Sequence, residues 1–117
     1  MPKHVFLAFT NPVEGREEDF NDWQDDVHLP EGMENKGFVR VTRYRLGDAQ
    51  FAPADGRAQY LNIWEIETDD IAATLAAAGE RNARGTFTDA INPNTIATHI
   101  YTQCRPSLEA ERARQEG

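Results

Sequence analysis

Two stretches of this chain are apolar on both sides of an extended strand, and each is followed by a helical pattern. In Lys3 to Thr10, Val5, Leu7 and Phe9 form one face and His4, Phe6 and Ala8 the other. In Ala58 to Glu67, Tyr60, Asn62, Trp64 and Ile66 oppose Leu61 and Ile63. A strand with two largely apolar faces needs cover on both, which places it in the middle of a sheet. Phe38 to Leu46 is a third strand; Arg40, Arg43 and Arg45 interrupt it and no acid does. Interleaved charge suits an edge, where it discourages pairing with other chains. Thr95 to Cys104 is the fourth, with Ile96, Thr98, Ile100 and Thr102 facing one way and Ala97, His99, Tyr101 and Gln103 the other.

The order strand–helix–strand, strand–helix–strand, joined by right-handed crossovers, gives an α+β fold of ferredoxin-like βαββαβ type. Its four-stranded antiparallel sheet carries both helices on one face. Residues 1–106 form this single domain, and 107–117 form a polar tail, helical or disordered. The helix-free face is expected to hold Phe6, Tyr60, Trp64 and Tyr101, too much aromatic surface to leave in water. A second copy packing sheet against sheet covers it most simply, so the pattern predicts a homodimer.

The stretch from Glu14 to Pro30 holds the first helix, with Glu17, Glu18 and Asp19 in its first turn and Phe20, Trp23 and Val27 at i, i+3 and i+7 on one face. Seven acids stand against Arg16 on the rest of its surface. Pro30 disfavours helical geometry at Leu29, so the helix is expected to end at or just before that residue, with His28 on the last turn. Such a position suits a histidine that only caps carbonyls, and equally one that looks into a pocket. The second helix is expected to take its cap from Thr68 and Asp69 and to pack through Ile71, Leu75 and Ala78.

The net charge of −8 repels phosphate, which argues against nucleic-acid partners and against an anionic membrane surface. No apolar run approaches the roughly 20 residues that span a bilayer, and the N-terminus lacks the features of a signal peptide. Cys104 is the only cysteine, so no internal disulfide forms, and a cytoplasmic location follows by elimination. The three histidines, His4, His28 and His99, show no metal-ligand spacing, and neither a phosphate loop nor a nucleophile elbow is present. No metal or organic cofactor is expected.

What remains is acid–base work by imidazole, whose ordinary pKa already lies near neutrality. His28 is the leading candidate, with Tyr44 and His99 as further catalytic candidates. Trp23, Trp64, Tyr60 and Phe87 offer apolar walls for a small aromatic or lactone ligand, and Asn62 and Tyr101 offer polar contacts. Arg40 or Arg43 is suited to hold a carboxylate, phenolate or enolate oxygen, although surface pairing is the plainer use of both. The favoured pocket lies between helices and sheet and combines His28 with Val5, Leu7, Leu61, Ile63 and Ile100. The other option, inside the paired sheets, uses His4, Asn62, Trp64, His99 and Tyr101.

The motif W-x-x-x-x-H-L-P, here Trp23, His28, Leu29 and Pro30, precedes G-F-x-x-x-x-R-Y-R-L, here Gly37, Phe38, Arg43, Tyr44, Arg45 and Leu46. Together they resemble the EthD-like branch of the dimeric α+β barrel superfamily, from the first strand to Cys104. Relatives there include lactone isomerases, polyketide cyclases, decarboxylases and cofactor-free oxygenases. The resemblance implies a homodimer and a proton-transfer role for His28. The expected function is a cofactor-independent lyase, isomerase or cyclase step on a small aromatic or unsaturated carbonyl compound. The alternatives are a non-catalytic binding or accessory protein for a hydrophobic metabolite and an oxygenase without cofactor. A weaker variant binds haem through His28 or His99.

Overall fold

In the computed structural model, which describes residues 1–53 and 55–111, strand β1 (Lys3–Thr10) leads into helix α1 (Glu17–Trp23). A π-helical turn (Gln24–His28) and a short α2 (Leu29–Gly32) continue the same helix. Strands β2 (Phe38–Arg45) and β3 (Tyr60–Glu67), helix α3 (Ile71–Ala83), a 3-10 turn (Pro93–Thr95) and strand β4 (Ala97–Thr102) follow. The strand order is β2-β3-β1-β4, antiparallel throughout. The two strands that are apolar on both faces are therefore central, and the arginine-bearing β2 is an edge. This is the α+β, ferredoxin-like arrangement.

The helices cover the opposite face of the sheet from the one expected. Phe6 pairs with Trp64 and with Ile100, and Thr10 with Tyr60, so these side chains share one side. That side lies beneath the helices: Trp64 is 3% exposed and Ile66 fully buried, and Phe6, Leu75 and Ala78 pack around them. Val5, Leu7, Phe9, Leu61, Ile63, His99 and Tyr101 lie on the helix-free face, and of the four aromatic residues expected there only Tyr101 is present. The reason is physical. Both parities are apolar, so alternation alone does not choose between them, and the parity with the larger rings gains more by lying under two helices.

Two helix boundaries also differ. The first helix runs past Pro30 to Gly32. Pro30 falls in the first turn of α2, just after the widened π turn, where a missing N–H is tolerated. Asp70, rather than Asp69, caps α3, its carboxylate accepting from the Ala73 N–H at 3.1 Å. Thr68 supports it from behind, its hydroxyl accepting from the Asp70 N–H at 3.2 Å. Ile71, Leu75 and Ala78 pack on the sheet as their spacing requires.

The acidic helix is tied to the sheet by one cation. Arg43 of β2 donates to Asp25 and to Asn21, each at 2.9 Å, and its guanidinium stands 5.1 Å from the Tyr60 ring centroid and 5.8 Å from that of Phe20. Phe20 and Tyr60 form a core cluster with Ala90 and Ile91, and the Tyr60 hydroxyl donates to Glu17. Among the described residues no helix is long and apolar enough to cross a membrane. Residues 107–111 are exposed and without regular structure, and the rest of the expected tail, 112–117, lies outside the described residues.

Truncating Arg43 removes two charge-assisted hydrogen bonds and two ring contacts together. Arg43→Ala is expected to cost about 2–3 kcal/mol in urea unfolding, and Arg43→Lys to recover little of it, because an ammonium lacks the planar fork.

Candidate functional site

His28 owes its position to the π turn. In an α-helix, residues five apart point about 140° away from each other at 100° per residue. In the π turn the Leu29 N–H bonds the Gln24 carbonyl, five residues back, which returns i+5 to the same side. Trp23 and His28 therefore stack, with centroids 4.6 Å apart and planes inclined by 14°. Trp64 of β3 meets the same imidazole edge-on at 5.7 Å. Gly32 makes this possible, since a Cβ there would come within 2.2 Å of the Trp64 ring.

The imidazole lines a cavity of about 300 Å³ between the helices and the sheet, at the lower end of the range for small-molecule sites. Phe6, Ala8, Phe38, Trp64, Leu75, Ala78, Ile91 and Ile96 give it apolar walls, and Trp23 and Phe87 stand beside His28. Burial in this surround holds the imidazole pKa below its ordinary 6.5, against a smaller opposing pull from the Glu31 carboxylate. Neither ring nitrogen has a hydrogen-bond partner among the described residues. The result is a neutral imidazole at neutral pH, half-buried between two indoles, with a free lone pair.

One side of the cavity is closed by the segment after α3. The Trp23 indole N–H donates to the Thr86 carbonyl at 2.9 Å, and the Thr86 N–H lies 3.3 Å from a Glu31 carboxylate oxygen. Phe87, largely exposed, sets its edge against Trp23 at 5.7 Å. On the floor the Asn62 amide donates to Gln24 Oε1 at 3.0 Å, and both side chains are almost wholly buried.

Of the residues singled out in the sequence, Trp23, His28, Asn62, Trp64 and Phe87 meet at this cavity. Val5, Leu7, Leu61 and Ile63, expected beside His28, lie on the other face of the sheet, and Phe6, Ala8 and Asn62 take their place. Arg43 and Tyr60 are joined to each other in the neighbouring core. Arg40 pairs with Glu65, with one of its two contacts at 2.8 Å. Tyr44 and His99 share a separate open hollow on the helix-free face with Phe9 and Leu61, and Tyr101 is exposed on that face. His4 is buried elsewhere, its Nδ1 2.8 Å from the Thr102 hydroxyl. The described residues contain no group of three or more His, Cys, Asp or Glu placed to hold a metal ion. Sequence reasoning missed Gln24, although it stands four residues after Phe20 and so on the buried stripe, and it missed Gly32 and Thr86, whose parts depend on tertiary contacts.

No protein-family model and no curated protein matches the chain. Solved structures do. An ethyl tert-butyl ether D (EthD) family protein from Bacillus halodurans C-125 superposes with a TM-score of 0.58 at 10% identity, over 86% of this chain and 97% of that one. A dimeric ferredoxin-like protein of unknown function from Jannaschia sp. CCS1 gives 0.55 at 15% identity, over 85% and 97%. The chain has an EthD-like, ferredoxin-like fold. At these identities the likeness is one of fold.

Two measurements check the site. Gly32→Ala forces Trp64 to move and is expected to destabilise by about 1–3 kcal/mol through overpacking, with a shift in tryptophan emission. A histidine whose folded pKa is depressed binds fewer protons folded than unfolded, so its contribution is complete above 6.5 and is lost as pH falls below it. His28→Gln should flatten the unfolding free energy against pH in that window.

Proposed function

We propose that this protein is a small cofactor-independent enzyme in which His28 transfers a proton on a flat aromatic or unsaturated carbonyl compound held in the cavity. One observation carries the reading: a neutral, unpartnered imidazole fixed between Trp23 and Trp64 at the wall of an apolar hollow. The free nitrogen takes a proton from carbon next to the ligand carbonyl, leaving an enolate and an imidazolium. Returning that proton at a different carbon isomerises the compound. Loss of a leaving group or ring closure from the enolate gives the lyase or cyclase outcome. The two indoles orient the ring and exclude water, as an orienting carboxylate does elsewhere.

The same proposal includes a homodimer. The helix-free face presents Val5, Leu7, Phe9, Leu61 and Ile63 only half-buried, beside exposed Tyr44 and Tyr101. The Jannaschia protein of the same fold is dimeric. A second reading, a protein that binds a hydrophobic metabolite without turning it over, draws support from the lack, among the described residues, of any hydrogen-bonded group behind His28.

Exchange of solvent deuterium into 2-tetralone, an enolisable bicyclic ketone, separates the readings. Catalysed exchange is expected, reduced about 10²–10⁴-fold in His28→Ala and His28→Gln variants with native circular dichroism. The rate should fall on the acid side with an apparent pKa below 6.5. Exchange unchanged by both substitutions would contradict the assignment of His28, and binding without exchange would favour the sequestering protein.

A further inference from the structure

The floor of the cavity carries a hydrogen-bonding pattern that the role of His28 leaves unused. Gln24 is 1% exposed and Asn62 2% exposed, and both side chains line the cavity. The Asn62 Nδ2–H donates to Gln24 Oε1 at 3.0 Å, a bond that uses one of four polar positions on each amide. Gln24 Nε2 and Asn62 Oδ1 have no partner among the described residues. Rotating both amides by half a turn exchanges their roles and still leaves one donor and one acceptor. Both atoms keep a trace of accessible surface and so open onto the cavity, where Asn35 Oδ1, which also lines it, is wholly buried without a partner among the described residues. Polar groups placed in this way are completed by ordered water or by a ligand that displaces it.

The rest of the lining narrows what that group is. Arg81, the only cation among the described residues that lines the cavity, is committed to Glu34 at 2.7 Å, and Glu31 accepts from the Thr86 N–H. Among the described residues no free cation faces the hollow to receive a carboxylate or phosphate. Burying an unpaired anion against Trp23, Trp64 and Phe6 is costly. The flat space between aromatic walls suits a planar ring system.

We propose that the Gln24–Asn62 pair is the recognition element of the site and selects an uncharged planar molecule that carries a hydrogen-bond donor beside an acceptor, as a lactam or hydroxy-carbonyl edge does. The Gln24 amide N–H meets the ligand's carbonyl oxygen and Asn62 Oδ1 receives the adjacent N–H or O–H. This rests on the cavity assigned above. If His28 acts as proposed, the same N–H faces the oxygen on which enolate charge develops, and Gln24 is then an oxyanion-binding residue as well.

The test uses three probes followed by tryptophan fluorescence and calorimetry: 2-quinolone, which has the paired edge; 1-methyl-2-quinolone, which lacks the donor; and 2-naphthoate, which is charged. The native protein should bind 2-quinolone at least about tenfold more tightly than either of the others. In the double variant Gln24→Met with Asn62→Leu, which removes both partners at similar volume, the preference over 1-methyl-2-quinolone should vanish while the N-methyl probe still binds. Should that variant not fold, the three-probe series on the native chain decides alone. Equal binding of both quinolones by the native protein, binding of none, or a preference that survives in a folded double variant would overturn the proposal. His28→Ala separates it from the catalytic reading: the quinolone preference should persist there while deuterium exchange is lost. Retained preference in a native protein that catalyses no exchange would remove the enzyme and leave the recognition site.

Discussion

The widened turn from Gln24 to His28 is the constraint on which the rest of the site depends. A regular helix would bury Trp23 and turn the imidazole five residues later well away from it. Closing the turn through the Leu29 N–H and the Gln24 carbonyl puts both rings on the sheet side, where they stack at 4.6 Å. It also places Pro30 in a first helical turn, so the helix continues to Gly32 and brings a residue without a side chain against Trp64. Indole, imidazole and indole are thus held in one assembly by a backbone irregularity, and π turns of this kind recur at functional sites.

Charge is distributed so that the cavity itself is left neutral. The acidic helix meets β2 through Arg43, whose guanidinium bridges Asp25 and Asn21 over two aromatic rings. That contact anchors the helix next to the site, and the arginine does not line the cavity. The charged side chains at the cavity, Glu31 and Arg81, are engaged with Thr86 and Glu34. With the nearby charges occupied, burial dominates the surroundings of His28 and keeps its ring neutral. Arg43 of the edge strand is used in pairing, the plainer of its two readings in the sequence, and ties one layer of the fold to the other.

The topology could be read from the chain because it rests on period-two patterning and on connection order, which are local properties. Lys3–Thr10 and Tyr60–Glu67 carry apolar residues on both faces and are central; Phe38–Arg45 carries arginines and is an edge. His28 was expected on the last turn of the first helix, whereas the helix runs on past it to Gly32. Which parity of the sheet faces the helices was not legible, because Val5, Leu7 and Phe9 are as apolar as Phe6 and Ala8, and only ring volume beneath the helices decides. The π turn was also hidden, since α-periodicity turns Trp23 about 140° away from His28. The Gln24–Asn62 bond joins residues thirty-eight apart and leaves no local trace.

The central claim is that His28 is a neutral, partly desolvated ring clamped between Trp23 and Trp64 at the edge of the cavity. Heteronuclear NMR titration of the His28 imidazole tests it most directly. The account predicts a pKa below 6.5, ring protons shifted by the two indoles, and nuclear Overhauser contacts to both Trp23 and Trp64. A His28 that titrates at or above 6.5, with no contact to either indole, would contradict it.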